Sequence, residues 1–357
     1  MNVWAPGRVN LIGEHTDYSG GLVLPIAIQL GLTLEVEPHG PQVVAQSDAF
    51  GATQPIEPDG SGTATQGWGR FAQAVARELN DLGRAPVGMK ATISSSLPAG
   101  AGLSSSAALE VGLAIALCAV AEFELEPFEL AAACCRAEER AVGVPCGILD
   151  QAACVLGERD AAILLDCASL GHGLLEVPPD AGFLIIDSGI RRELEHTGYS
   201  QRRQELETAL AQLGAASPRE LTIDQLDLSD PLSRRRLRHV ITENARVEQF
   251  AEAFASDDLL AAGALLSASH ASLRDDYEVS LPELDALAAA AEECGALGAR
   301  LMGGGFGGSI LALVEAPRAV EIAERIRQTN QSRRLPITVR ASEGAGVRPG
   351  AQIELAC

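Results

Sequence analysis

The sequence predicts an α/β protein built of two domains. Its 357 residues, 47% of them hydrophobic, suffice for two domains with a substantial core each. Short apolar runs typical of buried strands alternate with longer segments of helical periodicity along the chain. The pattern loosens near 166–182, where serine, glycine and the Pro178-Pro179 pair interrupt it. We therefore expect one domain over residues 1–170 and a second over 171–357.

The first domain is expected to begin with strands and to continue with helices. Residues 22–37 read as two strands, interrupted by Pro25 and Gly31, whereas 40–67 is polar and is expected to hold polar strands at most. A short strand is predicted over 89–95 and a buried strand over 161–166. Helical spacing of apolar residues predicts helices over 68–82, 104–121, 127–141 and 148–156.

The second domain is also predicted to combine strands and helices, with a larger share of helix. Its strands are predicted over 182–187, 298–302, 309–314 and 336–341. Its helices are predicted over 198–212, 217–225, 231–256, 257–274, 281–294 and 317–329. The glycine-rich stretch 303–308 satisfies the spacing of a dinucleotide-binding loop, but the segment after it is a strand where that fold requires a helix. We therefore reject a dinucleotide-binding fold.

Composition excludes several classes of partner. A formal charge of −21 argues against binding to nucleic acid or to an anionic membrane, since both require dense positive charge. The apolar stretch 107–121 is too short to span a bilayer. Eight scattered cysteines suggest neither a zinc site nor a disulfide framework. With no signal peptide before the polar motif that starts at residue 5, we expect a cytoplasmic protein, and we expect a monomer.

A glycine- and serine-rich loop, PAGAGLSSSA at 98–107, leads directly into an apolar helical segment. Glycines let backbone N–H groups approach a ligand closely, and the start of a helix adds the positive end of its dipole. A plain helix cap needs one serine, so this run favours a phosphate site, with simple capping as the alternative. Because Lys90 is the only lysine of the chain, arginine, serine or backbone amides would hold the phosphate.

A second polar cluster lies at 5–21, APGRVNLIGEHTDYSGG. Four ionisable residues, Arg8, Glu14, His15 and Asp17, occur within ten positions, beside the apolar run LVLPIAI. A solvated turn is the simple interpretation. The stronger one is a pocket whose carboxylates and imidazole exchange hydrogen bonds with a ligand that carries many hydroxyl groups.

Five segments together resemble the galactokinases, members of the GHMP family of small-molecule kinases. They occur in the family's order and extend over nearly the whole chain: GRVNLIGEHTDY at 7–18, PAGAGLSSSAALE at 98–110, VPCGILDQ at 144–151, HASLRDDYEVSLPELD at 270–285 and MGGGFGGS at 302–309. The resemblance implies a two-lobed fold with an N-terminal lobe like domain 2 of ribosomal protein S5 and a ferredoxin-like C-terminal lobe. It also implies phosphorylation of α-D-galactose by ATP at the C1 hydroxyl, the first committed step of the Leloir pathway.

The same resemblance implies roles for individual residues. Asp150 would accept the proton of the sugar hydroxyl or orient that hydroxyl, with Arg8 beside it to stabilise charge. The sugar-binding residues would be Glu14, His15, Thr16, Asp17, Gly147 and Tyr199. The ATP phosphates would be bound by Gly100, Ala101, Gly102, Leu103, Ser104, Ser105 and Ser106, and Trp68 would offer a face to adenine. Ser106 and Glu138 would bind Mg²⁺, and residues 303–308 would support the phosphate loop.

Structural roles remain open for several of these residues. Tyr199 and Trp68 can pack in the core, Glu138 can lie on an exposed helix face, and Asp150 can cap a helix. Two other functions also remain: a related kinase that acts on N-acetylgalactosamine or arabinose, and a non-catalytic sensor of galactose and ATP. No ligand role follows for residues 274–280, RDDYEVS, where we expect a structural network at a helix end.

Overall fold

The computed structural model of the chain describes residues 1–48, 51–63, 66–191, 195–226, 230–329 and 335–348, and the side chains of 195–197 are not among them. Its larger sheet has six strands in the order β13-β1-β3-β6-β4-β5. These strands are β1 (Asn2–Asn10), β3 (Pro25–Pro38), β4 (Val43–Ser47), β5 (Gly51–Ala52), β6 (Met89–Ser95) and β13 (Gly346–Arg348). All pairs are antiparallel except β4 with β6.

Four helices accompany this sheet: α1 (Gly69–Asp81), α2 (Ser105–Val120), α3 (Pro127–Val142) and α4 (Leu149–Leu156). The central helix is α2, which packs on β1 and β3 and is flanked by α1 and α3. Ten of its sixteen residues are buried, because its alanines, leucines and valines give it no polar face. Burial of α2 fixes the position of its amino terminus, where the glycine- and serine-rich loop ends.

The second half of the chain contains a four-stranded antiparallel sheet in the order β10-β11-β9-β12. Its strands are β9 (Ala181–Asp187), β10 (Gly298–Leu301), β11 (Ser309–Glu315) and β12 (Ile337–Val339). The helices of this half are α5 (Glu195–Leu213), α6 (Pro231–Ala255), α7 (Leu259–Asp275), α8 (Pro282–Glu293) and α9 (Ala319–Thr329). A third, small sheet joins β2 (Leu22–Val23), β7 (Ala161–Asp166) and β8 (His172–Glu176).

The structure differs from the predicted elements at five places. The segment around Arg8, where no strand was predicted, is the strand β1, and β3 runs unbroken through Gly31. Gly31 stands opposite Pro6, next to the irregular pairing between Pro6 and Arg8, so a glycine here permits close backbone approach without ending the strand. The helix predicted over 217–225 is instead two 3₁₀ turns, Pro218–Glu220 and Ile223–Gln225, and β8 and β13 were not predicted.

A returning strand and a buried arginine are among the features that join the halves of the molecule. Strand β13, near the end of the described chain, returns to pair with β1 in the first sheet. From β10 the fully buried Arg300 donates to the carbonyls of Asn10 and Leu11 and to the carboxylate of Glu14. None of the helices in the described part of the chain combines the length and apolar character needed to cross a membrane.

Candidate active site

A cavity of about 580 Å³ opens between the two halves of the chain. Side chains and backbone from β1, from the loop before α2, from α3 and from the start of α4 form one wall. The other wall comes from the segment after β9, from α5 and from the glycine-rich turn at 303–306. Nearly all of the predicted site residues line this cavity, although they are spread over almost 200 positions of sequence.

The loop at 98–107 is shaped as an anion cradle. Gly100 and Gly102 have φ of 75° and 74°, and Ser104, which precedes α2, has φ of 54°. The Ser104 side chain makes no capping hydrogen bond to α2. Its hydroxyl donates to Asp150 Oδ2 instead. The amides of the first helical turn therefore receive no cap from this serine, which argues against simple capping and keeps them available to a phosphate.

One guanidinium connects this loop to Asp150. Arg8 Nε and Nη2 donate to the two carboxylate oxygens of Asp150 at 2.6 and 2.7 Å. Arg8 Nη1 donates to the carbonyl oxygen of Gly102 at 3.0 Å. Although burial opposes it, the negative charges of Asp150 and Glu14 raise the pKa of Arg8 above its ordinary value. The bidentate pair fixes the plane of the Asp150 carboxylate beside the phosphate loop.

Glu14 and His15 lie where the cavity meets the glycine-rich turn at 303–306. Glu14 Oε1 accepts hydrogen bonds from Arg300 and from the Gly303 amide, the latter at 2.9 Å. Burial opposes ionisation, but the Arg300 charge and the Gly303 amide hold the pKa of Glu14 below its ordinary value. Burial lowers the pKa of His15 to about 3, with the nearby His239 adding to the effect, so this imidazole is neutral at physiological pH. The pair thus offers an anionic acceptor and a neutral ring.

The Asp17 carboxyl group changes its ionisation near neutral pH. Burial, together with the negative charges of Asp150 and Glu14, raises its pKa to about 7. Gly147 makes room for it: a Cβ at Gly147 would lie only 1.8 Å from Asp17 Oδ2. The glycine between Cys146 and Asp150 is therefore required by space, since its φ is unremarkable.

Tyr199 packs into an aromatic cluster with His15 and Tyr18. Its ring centroid lies 5.5 Å from that of His15 and 5.3 Å from that of Tyr18. Tyr18 in turn exchanges a hydrogen bond of 2.7 Å with the buried Tyr277 hydroxyl. Tyr199 also lines the cavity, so its structural role and a sugar contact are compatible.

Ser106 and Glu138 meet at the start of α2. The Ser106 hydroxyl donates to Glu138 Oε1 at 3.0 Å, so Glu138 faces the cavity and is not on an exposed helix face. Gln151 Nε2 donates to Glu138 Oε2 at 2.6 Å and to Glu110 Oε2 at 3.0 Å. Burial and the Asp150 charge raise the pKa of Glu138. Burial and the Glu138 charge raise the pKa of Glu110 to about 10, so Glu110 is neutral near pH 7.

Two predicted site residues lie outside the cavity wall. The Thr16 side chain is fully buried, and its hydroxyl lies 2.8 and 2.7 Å from the carbonyl oxygens of Gly13 and Leu22. It therefore stabilises the turn that presents its neighbours His15 and Asp17. Trp68 packs against the core of the first half, which is the structural alternative noted above, and offers no face to the cavity.

Other cavity residues were missed by the sequence analysis. Arg191 Nη1 donates to the Ala99 carbonyl at 2.7 Å and lies over Gly100, where a Cβ would be 1.3 Å from the same nitrogen. Arg70 and Phe71 of α1 occupy the wall where Trp68 was expected. Arg191 lies four residues after the end of the buried strand β9, and the scarcity of lysine had left arginine, serine or backbone amides for phosphate contacts. Its position after a strand and the scarcity of lysine together could have identified Arg191 from the sequence.

The glycine-rich turn and the segment 274–280 both support the cavity. Ser309, which follows the turn, donates to the Ala101 carbonyl of the phosphate loop at 2.9 Å, so the turn stands beside that loop as expected. Asp276 ends α7 and is paired with Arg238, while the backbone carbonyl of Tyr277 accepts from Arg202 at 2.7 Å. Segment 274–280 is therefore the structural network predicted at a helix end.

Three family models match the chain. Residues 2–38 match the galactokinase galactose-binding signature, 69–158 the N-terminal domain of GHMP kinases, and 250–331 the GHMP kinase C-terminal domain. Two curated relatives are 39% identical to the chain. One, a galactokinase of Thermococcus kodakarensis, aligns with 92% of this chain and 93% of its own length. The other, a galactokinase of Mycobacterium bovis, aligns with 91% and 92%.

Solved structures agree with these matches. The crystal structure of Lactococcus lactis galactokinase complexed with galactose superposes with a TM-score of 0.91 at 32% identity and covers 97% of this chain and 94% of its own. A mevalonate kinase superposes with a TM-score of 0.69 at 18% identity over 96% of this chain and all of its own. The second similarity concerns the fold alone.

Proposed function

Because this chain belongs to the galactokinase family within the GHMP kinases, we propose that its cavity transfers the γ-phosphoryl group of ATP to the C1 hydroxyl of α-D-galactose. The chain is an enzyme that phosphorylates galactose with ATP as co-substrate, and it has the two-lobed GHMP kinase fold. The finer points of the proposal are the position of transfer, the residue roles and the metal.

One observation carries the residue assignment. The Arg8 guanidinium holds the Asp150 carboxylate and the Gly102 carbonyl at the same time. A group that orients a hydroxyl and a loop that cradles phosphates are thereby kept within the span of one side chain. Phosphoryl transfer depends mainly on positioning and electrostatic stabilisation, and this arrangement supplies both.

The reaction divides between the two ends of the cavity. Backbone amides at Gly100–Ser106 bind the phosphates, and Arg191 adds positive charge over Gly100. Glu14, His15, Asp17, Tyr199 and the Gly147 backbone bind the sugar. The C1 oxygen attacks the γ-phosphorus, the bond from that phosphorus to the bridging oxygen of ADP breaks, and the hydroxyl proton passes to Asp150. Arg8 stabilises the charge that develops beside it.

Ser106 and Glu138 fit a magnesium ion. Mg²⁺ usually binds one or two oxygen ligands from a protein, and the hydroxyl of Ser106 and the carboxylate of Glu138 are donors of this kind. Glu138 also lies near the Asp150 carboxylate, whose negative charge raises the pKa of Glu138, and a cation would relieve this repulsion. When bound, Mg²⁺ neutralises charge on the β- and γ-phosphates. The Gln151 side-chain amide donates to Glu138 and so orients its carboxylate.

Three further expectations remain proposals. The division of the chain at 170/171 is supported by the change of sheet between β7 and β9, although β8 and β13 pair with strands of the first half. A cytoplasmic location is supported by the seven cysteines among the described residues, all of which are free thiols. We also propose a monomer, as the sequence analysis expects.

A substrate panel tests the proposed reaction. Galactose, N-acetylgalactosamine, arabinose and glucose are each supplied with ATP and Mg²⁺, ADP formation is followed by a coupled assay, and the products are identified by mass and phosphorus NMR. We expect the highest kcat/KM with galactose and galactose 1-phosphate as product. Preference for another sugar would support a related sugar kinase, and binding of galactose and ATP without turnover would support a sensor. Either result would overturn the proposal.

A further inference from the structure

A group of metal-ligating side chains next to the sugar end of the cavity has no part in the proposed reaction. Cys135 and Glu139 lie four positions apart on α3, and Cys146 follows in the loop that joins α3 to α4. Their ligand atoms, two thiol sulfurs and one carboxylate oxygen, all lie within 4.8 Å of one another. All three residues are half-buried, so an ion can reach them.

We propose that Cys135, Glu139 and Cys146 form a binding site for a thiophilic divalent cation, with Zn²⁺ as the ion that fits best. Two thiolates and a carboxylate are a donor set that zinc accepts, and a water molecule would complete the tetrahedron. Magnesium, which prefers oxygen ligands only, would not compete for it. The chain's cysteine spacing gave no indication of this site, because the third ligand arrives through the turn at Gly143.

The distance between the sulfurs supports a metal over a disulfide. Cys135 Sγ and Cys146 Sγ are 3.7 Å apart. Two sulfurs bound to one tetrahedral zinc at about 2.3 Å each lie about 3.8 Å apart, so the pair needs little rearrangement. A disulfide would require about 2.0 Å and hence a shift of the backbone or of both side chains.

The loop is already held in the geometry that the ion needs. The Cys146 amide donates to Glu139 Oε1 at 3.1 Å, and the Cys146 thiol donates to the Cys135 carbonyl at 3.6 Å. These bonds bring Cys146 back over the last turns of α3. The second ligand pair, Cys135 and Glu139, is set by the helix itself, since residues four apart share one face.

Zinc at this site would act on the reaction through the loop 143–147. Cys146 lines the cavity, and the next residue, Gly147, packs directly against Asp17. An ion that ties Cys146 to α3 restrains the segment against which the sugar binds and which leads into Asp150. We therefore expect bound zinc to inhibit turnover. This inhibition rests on the proposed function, whereas ion binding does not.

Cobalt is the probe for binding, because a thiolate bound to Co²⁺ gives a charge-transfer absorption that carboxylates do not give. The full chain, reduced and freed of metal, is titrated with Co²⁺ in excess Mg²⁺, and the Co²⁺ is then displaced with Zn²⁺. We expect one equivalent to develop the thiolate band. Cys135→Ser and Cys146→Ser should each weaken binding about tenfold or more, and Glu139→Gln should weaken it measurably.

Cys167→Ser is the matched control, since Cys167 is also a half-buried free thiol. It should titrate like the unaltered chain, and circular dichroism checks that each variant is folded. Absence of a thiolate band, or a band that persists unchanged in Cys135→Ser, would overturn the site.

Turnover is measured separately, with and without Zn²⁺. We expect a loss of kcat that a zinc chelator reverses and that Cys135→Ser, which keeps its basal activity, escapes. Binding without any loss of kcat would overturn the inhibitory role alone. A chain with no galactose kinase activity in the absence of zinc would count against the proposed function and leave the binding result intact.

Discussion

Arg8 has its effect through the geometry of its guanidinium. Its three nitrogens serve two oxygens of Asp150 and the carbonyl of Gly102, a fork that a lysine ammonium cannot reproduce. Arg8→Lys keeps the positive charge but loses the bidentate pair. We expect kcat to fall by about a hundredfold with little change in the KM for galactose.

Steady-state kinetics of the variant provide the measurement for Arg8. The matched control is Arg159→Lys, which alters an exposed arginine paired with Glu343. If Arg8→Lys changed KM alone, Arg8 would position the sugar and would not stabilise the reaction.

Asp17 predicts a pH dependence. Its pKa of about 7 means that it becomes an anionic hydrogen-bond acceptor only as the pH rises through neutrality. With ATP saturating, kcat/KM for galactose should therefore rise between about pH 6 and about pH 8 and then level off. The effect on stability has the opposite sign. Because the pKa of Asp17 in the folded chain exceeds its ordinary value of 3.8, the free energy of unfolding should fall as the pH rises from 3.8 to about 7.

Asp17→Asn tests whether the rise in kcat/KM comes from ionisation of Asp17 or of another group. The variant will bind sugar more weakly, but its kcat/KM should lose the inflection near neutrality because asparagine does not ionise in this range. A flat profile in the unaltered chain, or an inflection that persists in Asp17→Asn, would contradict the assignment.

Single residues were predictable where short motifs carry their chemistry. Arg8 and the loop around Gly102 were found from residue type and local pattern and Asp150 from the family resemblance, and the three converge in the structure. Trp68 packs on the core and does not line the cavity, and residue type alone does not tell which of these positions a tryptophan takes. Arg191 was missed because its contact with Ala99 joins positions 92 apart in sequence.

At the level of elements, the turn between α3 and α4 leaves no room for a larger residue beside Asp17. A side chain at Gly147 would collide with the Asp17 carboxylate, with Cβ only 1.8 Å from Oδ2. Gly147→Ala should therefore displace Asp17 and cost about ten- to a hundredfold in kcat/KM for galactose, mainly through KM.

Gly173→Ala serves as the control, because a Cβ there meets nothing within 4 Å. The same steady-state assay measures both variants. An unchanged KM in Gly147→Ala would mean that this contact does not position the sugar site.

Helices were easier to predict than strands, and the physical reason is visible in particular elements. Helix α1 shows a clear apolar stripe at helical spacing, so its bounds were found within a residue or so. Strand β1 contains Pro6, Gly7 and Arg8, which resemble loop residues, and only its neighbours in the sheet make it a strand. Strand β13 has three residues and exists through its pairing with β1 alone.

For the whole molecule, Arg300 is a buried polar link between the two halves. It is fully buried and donates to Asn10, Leu11 and Glu14 from β10. Arg300→Met leaves the Glu14 carboxylate buried without its cation, so the free energy of unfolding should fall by about 3–5 kcal/mol. Urea unfolding measures this loss.

Arg318→Met provides the comparison. Arg318 is exposed, and solvent screens its ion pairs with Glu315 and Glu321, so their loss should change stability little. Equal stability losses in the two variants would contradict a special role of Arg300 in joining the halves.

The overall architecture was predictable in outline from the alternation of elements and from the motif order. The association of the halves was not, because it depends on contacts such as Arg300 with Asn10 and β13 with β1, which join positions about 290 and 345 apart. No local pattern encodes pairs at that separation.

Asp150→Asn tests the central claim most directly. The carboxamide has the size of the carboxylate but cannot accept the hydroxyl proton, and Asp180→Asn, an exposed position, is the control. With galactose binding measured by calorimetry and turnover by ADP release, we expect binding to persist while kcat falls about a hundredfold or more. A nearly unchanged kcat would contradict the assignment of Asp150 to the reacting centre.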